Sequence, residues 1–333
     1  MTEQDTGILP AGFKLERYRI VKQLAAGGFG ITYLAEHSGL GKQYAIKEHF
    51  PREYASRDGT SVRPNTADKS IYKWALERFA EEAKKLARFK HPAIVSVADV
   101  FEANGTAYMV MEFEPGTSMS RWLEGLGRPP TQAELDKIAI ALLDALEVMH
   151  GANFLHRDIA PDNIMIRPDG SPCLIDFGAA RQSVGQQSKT LTAIIKAGYS
   201  PAEQYDTEGT QRQGPWSDIY ALAATLYRAV TGARPPEAPG RLLEDGMRPA
   251  LERAAPGYRR EFLEAIDAAL ALAPKARPRS VTEWRGRLLA GAPHGGSGQS
   301  ATILPPVAAQ LPTFPPLPGA SPSARPPSGR PLP

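Results

Sequence analysis

Cysteine is nearly absent. Of 333 residues only Cys173 is one, so no intrachain disulfide can form, and its apolar neighbours predict a buried thiol in a reducing compartment. No apolar run approaches the roughly 20 residues that span a bilayer, and the N-terminus lacks the apolar core of a signal peptide. The expectation is a cytoplasmic chain with no membrane segment. Charge of one sign is scarce too: 39 Lys+Arg against 36 Asp+Glu give a formal net charge of +3, two of whose positive charges, Arg325 and Arg330, lie near the C-terminus. That balance carries no nucleic-acid footprint. His and Cys ligand clusters of the kind that hold zinc are missing as well.

Acidic residues vanish altogether from 291–333, where twelve prolines stand instead. Such a stretch cannot bury enough surface to offset the entropy of ordering, so a disordered Pro-rich tail is predicted there. Residues 311–318 are suited to a polyproline helix offered to a partner, or to a linker. The remainder has the averages of a globular protein, with 42% hydrophobic and 23% charged residues over the whole chain.

What is present centres on residues 156–178. They read His156, Arg157, Asp158, Ile159, Ala160, Pro161, Asp162, Asn163, then an apolar run to Ile175, then Asp176, Phe177 and Gly178. Two carboxylates and an amide, with no sulfur or imidazole cluster, suit a hard cation and a hydroxyl substrate. The chemistry indicated is phosphoryl transfer.

The rest of the chain is read for a nucleotide site. A strand over 18–24 runs into Gly27, Gly28, Phe29 and Gly30, and a second strand follows. Glycines between two strands let backbone amides approach phosphate oxygens, although a tight turn looks the same. In the strand over 43–48, Ala45 and Lys47 share a face while Ile46 points away. Residues 48–71 read as a loop-rich insertion without assignable structure. Over 72–90, Leu76, Phe79, Ala83 and Leu86 fall at helical spacing, and Glu82 sits at the edge of that stripe, where it can face inward. A hairpin over 94–112, turning at Asn104 and Gly105, leads to a hinge-like 112–116. Helices are expected over 132–150, 216–230, 259–272 and 281–289.

Taken in order, these residues resemble the eukaryotic-type (Hanks-type) Ser/Thr protein kinase family, and the 47–51 segment is similar to a bacterial branch of it. The resemblance covers 15–290. It implies an α+β, protein-kinase-like bilobal fold: an N-terminal extension over 1–14, a small β-rich N-lobe over 15–113, a hinge at 112–116 and a larger α-helical C-lobe over 117–290. It implies ATP and Mg2+, or Mn2+ in its place, as cofactors, and protein substrates phosphorylated on Ser or Thr. Leu24, Ala26, Gly27, Gly28, Phe29, Gly30 and Thr32 would cover the nucleotide. Ala45 and Met165 would lie above and below the base, with Met111 at the gatekeeper position and the backbone of Glu112 and Glu114 bonding adenine. Lys47 would pair with the α and β phosphates and Glu82 would orient it. Asp176 and Asn163 would hold metal, and Asp158 would accept or orient the substrate's hydroxyl proton. Glu203 would ion-pair with Arg277, and Asp218 would brace the catalytic loop.

Departures from the family pattern sharpen the expectation. Ala160 stands where a lysine usually contacts the γ-phosphate, and Lys196 is expected to place an ammonium in the space so left; a solvated loop lysine is the alternative. Arg157 before Asp158 implies a cationic pocket for an activation-loop phosphate, with Ser188, Thr190 and Thr192 as candidate autophosphorylation sites. Asp162 and Glu114 would favour a basic residue before the target hydroxyl. A pseudokinase scaffold or nucleotide sensor working through the Pro-rich tail is the competing reading.

Overall fold

The structure is a computed structural model, and it describes residues 7–177, 196–206 and 213–292. The predicted tail falls outside them from residue 293 onward, as do Ser188, Thr190 and Thr192. The described residues form one compact unit.

The N-lobe is built on strands β1 (Lys14–Leu15), β2 (Tyr18–Ala26), β3 (Gly30–His37), β4 (Gln43–His49), β5 (Ala55–Asp58) and β6 (Ser61–Pro64), helix α1 (Lys69–Leu86), and strands β7 (Val97–Ala103) and β8 (Thr106–Glu112). Six of them form a sheet in the order β1-β2-β3-β4-β8-β7, with β5 and β6 as a separate hairpin. Alternation explains β4. Tyr44, Ile46 and Glu48 are buried on one face with Tyr18, Ile20, Tyr33 and Tyr108, while Ala45 and Lys47 point to the other. Strand β8 is buried along almost its whole length, being covered by α1 and flanked by β4 and β7.

The insertion over 48–71 is therefore structured, contrary to its loop-like sequence. Only Ala55 and Val62 are buried in the hairpin strands, too few to show a period of two. Helix α1 starts at Lys69, earlier than the expected residue 72, because Lys69, Ser70 and Ile71 are not buried and leave no pattern to read. Tyr72, Ala75, Phe79, Glu82, Ala83 and Leu86 form its inward face.

The C-lobe follows the hinge with β9 (Thr117–Ser118), α2 (Met119–Gly125), α3 (Gln132–Gly151), β10 (Ile164–Ile166), β11 (Pro172–Leu174), α4 (Pro215–Thr231), α5 (Ala238–Leu243), α6 (Ala250–Arg253), α7 (Arg260–Ala269) and α8 (Val281–Leu288). Thr131 and Glu134 close a capping box at the start of α3, satisfying donors the first turn leaves open. Helix α4 is buried on nearly every side and is the C-lobe's axis. The short α2, α5 and α6 escape sequence reading because a helix of four to seven residues shows hardly two turns of periodicity. The fold is the expected α+β, bilobal one. A continuous apolar cluster runs from Phe79 and Leu86 of α1 through Met111 to α3 and α4, so α1 packs on both lobes. No described helix is long and apolar enough to cross a membrane.

Candidate active site

Strand β4 carries Lys47 into the cleft, and its ammonium is ion-paired with Asp176. Both border a cavity also lined by Ala25, Ala26, Gly27, Gly28, Phe29, Gly30 and Thr32. Gly30 is required by close approach: a Cβ there would come within 2.4 Å of the Glu48 carbonyl oxygen. Glu82, expected to orient Lys47, is 6% exposed on α1. Lys47 also reaches across the cavity, where it pairs with the Asp176 carboxylate expected to hold metal.

Strand register places the residues expected around the base. Ala45 pairs with Met111 across β4 and β8, and Met165 pairs with Cys173 across β10 and β11. Ala45 and Met165 are half-buried against the same apolar cluster as Met111. Leu24, at the end of β2 before the glycine loop, is exposed. The Glu112 backbone N–H donates to Ser96 at 2.9 Å, and its side chain accepts from Lys42 at 2.7 Å. The Glu114 carboxylate accepts from Arg167 Nε at 2.6 Å. Asp162 is exposed. Gly116, with φ 143, lets the hinge pass β10, since a Cβ would meet the Ile166 carbonyl oxygen at 2.2 Å.

The loop over 156–163 is held from below by Asp218 of α4. Its fully buried carboxylate accepts from the backbone N–H of His156 at 2.9 Å and of Arg157 at 2.8 Å, and from His150 Nε2 at 2.8 Å. Burial pushes the Asp218 pKa up, but the bond and charge from His150, with His156 and the Arg157 amide, outweigh it, and the net shift is downward. Arg157 and Asp176 adopt positive φ of 65° and 54°. Such conformations cost of order 1–3 kcal/mol each and persist only where the surroundings hold them. Burial lowers the His156 pKa to about 4, so it packs as neutral imidazole 4.5 Å from the Phe177 ring.

On this base Asn163 fixes Asp158. Its Nδ2 donates to Asp158 Oδ2 at 2.8 Å and to the Asp158 backbone carbonyl at 2.7 Å. The Ile175 N–H donates to the Asn163 carbonyl at 2.9 Å, which sets Asn163 beside the chain entering Asp176. Lys196 Nζ lies 3.6 Å from Asp158 Oδ1, and Ala160 is fully buried nearby in the loop. The Lys196 backbone N–H donates to Ser200 Oγ at 3.2 Å. Glu203 and Arg277, both fully buried, pair at 2.7 Å. The Arg157 Nε is buried without a hydrogen-bond partner among the described residues.

Sequence reasoning passed over Glu48, fully buried beside Lys47 in sequence. Tyr33 and Tyr108 donate to it at 2.9 and 2.8 Å, and Arg57 ion-pairs with it. A signal existed: strand alternation puts Glu48 on the apolar face with Tyr44 and Ile46, where a carboxylate requires partners.

Comparison with known proteins places this geometry among relatives. A family model described as "Protein kinase domain" matches residues 18–248. The chain is 35% identical over 232 residues to serine/threonine-protein kinase PknA of Nostoc sp., covering 66% of this chain and 38% of that protein. It is 34% identical over 226 residues to serine/threonine-protein kinase PknA of Mycobacterium tuberculosis, covering 66% and 48%. Against serine/threonine-protein kinase C of Synechocystis sp. identity is 29% over 288 residues, covering 83% and 50%. The chain thus spans between about two fifths and half the length of these curated relatives. A solved structure titled "PpkA-294 apo form" superposes with a TM-score of 0.77 at 36% identity, covering 85% of this chain and 100% of that one.

Proposed function

The chain belongs to the protein kinase domain family, and on that premise we propose that it transfers the γ-phosphate of ATP to a serine or threonine hydroxyl of a protein substrate in the cytoplasm. The observation that carries this is Asp158, oriented by two bonds from Asn163 and faced by Lys196, on a loop that the Asn163–Ile175 bond joins to Asp176. Similarity to chains named serine/threonine-protein kinases supports the choice of acceptor.

In this reading the substrate oxygen bonds to the γ-phosphorus, the bond to the bridging oxygen breaks with ADP leaving, and the hydroxyl proton passes to Asp158 Oδ1 or to solvent. Asn163 holds Asp158 in the rotamer that presents that oxygen. Ala45 and Met165 enclose the base beside Met111, with the Glu112 and Glu114 backbone at its edge, and the glycine loop covers the phosphates. Lys47 leaves Asp176 for the α and β phosphates, with Glu82 on α1 as its orienting partner.

The donor set fits magnesium, because Asp176 and the Asn163 amide offer hard oxygens and the Asp176 carboxylate already accepts a cation, the Lys47 ammonium. When bound there, the metal supplies charge neutralisation at the phosphates. Lys196 takes the place of the lysine that Ala160 lacks. Arg157, with its unpartnered Nε, is the receptor for a phosphate on Ser188, Thr190 or Thr192 delivered by autophosphorylation. A polyproline-recognising partner for residues 311–318 is a separate proposal, tested by pull-down with and without that segment.

The deciding experiment incubates the full chain with Mg-ATP and a panel of protein substrates beside an Asp158→Asn control, then maps phosphate by mass spectrometry. Phosphoserine or phosphothreonine formed by the parent and lost in the control is expected. Nucleotide binding without any protein phosphorylation would replace this reading with the scaffold one.

A further inference from the structure

We propose that the β5–β6 hairpin, anchored by Arg57, is a positioning element for the nucleotide: it fixes the height of the glycine loop over the phosphates by holding residues 50–55. This deepens, and rests on, the reading of the glycine-loop cavity as the ATP site.

Two backbone bonds tie the loop to the chain leaving β4. The Phe50 N–H donates to the Phe29 carbonyl at 3.1 Å, and the Arg52 N–H donates to the Gly28 carbonyl at 3.0 Å. The Phe29 side chain packs with Tyr54 and Ala75, alongside Ile71 and Trp74 of α1. Residues 28 and 29 therefore follow wherever residues 50–54 are held. That segment folds on itself, with the Tyr54 and Ala55 N–H groups donating to the Pro51 carbonyl at 2.9 and 3.0 Å, and the Tyr54 carbonyl accepts from the Asn65 N–H at 2.8 Å just beyond β6.

Beside the buried Ala55 and Val62, the hairpin is fastened to the sheet by the Arg57 side chain. Arg57 Nε donates to the Gly7 carbonyl at 2.7 Å, Nη1 to the Thr60 carbonyl at 3.0 Å, and Nη2 to Glu48 Oε2. Its side chain is 2% exposed, that of Glu48 is fully buried, and the guanidinium lies 4.9 Å from the Phe50 ring centroid. The Val62 N–H adds a bond of 2.8 Å to the Asn104 carbonyl, at the turn between β7 and β8. The hairpin thus bridges the glycine loop, α1 and the β7–β8 turn.

A buried ion pair is a poor device for stability alone, because desolvation of both charges offsets much of their attraction, and an apolar pair of like volume often serves as well. What a guanidinium with three directional donors adds is geometry. It fixes β5 against β4 at Glu48, the neighbour of Lys47, and so couples the height of the loop to the position of the lysine that meets the same phosphates.

The test compares Arg57→Met and Tyr54→Leu with the parent chain. The first removes the anchor at similar volume; the second removes packing beneath Phe29 and leaves the buried pair intact. Mg-ATP affinity is read by calorimetry, and KM for ATP and for a peptide substrate by steady-state kinetics, on protein folded by circular dichroism. A rise of about tenfold or more in Kd and KM for ATP is expected, with KM for the peptide within about twofold. Should Arg57→Met fail to fold, Tyr54→Leu decides alone. Folded variants that bind ATP as tightly as the parent overturn the positioning role and leave the kinase reading standing. A parent chain that binds no Mg-ATP overturns both.

Discussion

Replacing Lys196 tests the most unusual feature of this site. Its Nζ stands 3.6 Å from Asp158 Oδ1 with 27% of its side chain exposed. At an effective dielectric near 20, two unit charges at that separation attract by about 4 to 5 kcal/mol, a gross figure that hydration and side-chain entropy reduce. Removing one charged donor from a transition state typically costs ~3 kcal/mol, or ~10²-fold in rate. Lys196→Ala is therefore expected to lower kcat by between about tenfold and a hundredfold, with KM for ATP changed much less, because the ammonium faces Asp158 and not the base. The assay is steady-state phosphorylation of a protein substrate at saturating Mg-ATP, with thermal unfolding to show that the fold survives. A relocation variant sharpens it. Ala160→Lys combined with Lys196→Thr moves the ammonium into the loop and should recover part of the lost turnover. If Lys196→Ala turns over as fast as the parent, the lysine is a solvated loop residue and the substitution argument fails.

Arg277→Ala leaves Glu203 as a buried carboxylate without its ion-pair partner, and breaking such a pair costs about 3–5 kcal/mol; the urea midpoint should fall accordingly, and an unchanged midpoint would refute the assignment. Acid should destabilise the fold through its buried histidines. Burial lowers the pKa of His156 to about 4 and of His49 to about 3, against about 6.5 in the unfolded chain. Between those values the unfolded chain binds the more protons, so this stability is complete above pH 6.5 and is lost as pH falls through the window, by on the order of 3 kcal/mol for His156. Thermal melts from pH 7.5 to 5 should show the fall, and His49→Phe should make it shallower. Gly116→Ala would drive a Cβ against the Ile166 carbonyl, so the hinge must shift; a KM for ATP raised several-fold is expected, and one equal to the parent's would show that the hinge yields at no cost.

Much of this molecule was legible in its sequence, because local rules wrote it. Alternation in β4 put Ala45 and Lys47 on one face and Tyr44 and Ile46 on the other, and the spacing of Phe79, Ala83 and Leu86 fixed which side of α1 is buried. Motif order from Lys47 through Asp158 and Asn163 to Asp176 was enough to name the family. The short helices and the hairpin were not legible. Helices of four to seven residues and strands of four leave too few turns or alternations to distinguish from a loop, and β5 and β6 bury only Ala55 and Val62 between them.

What only tertiary structure decided is who pairs with whom. Local pattern gave no sign that Lys47 would ion-pair with Asp176, 129 positions away. Nor did it show that Arg167 pairs with the Glu114 carboxylate. It could not say that Glu48 gathers Tyr33, Tyr108 and Arg57. Periodicity reports which face of a local segment is dry, and that is a property of neighbours in the chain. An ion pair depends on distance through space and on the desolvation both charges share, which are set only once separate elements have packed.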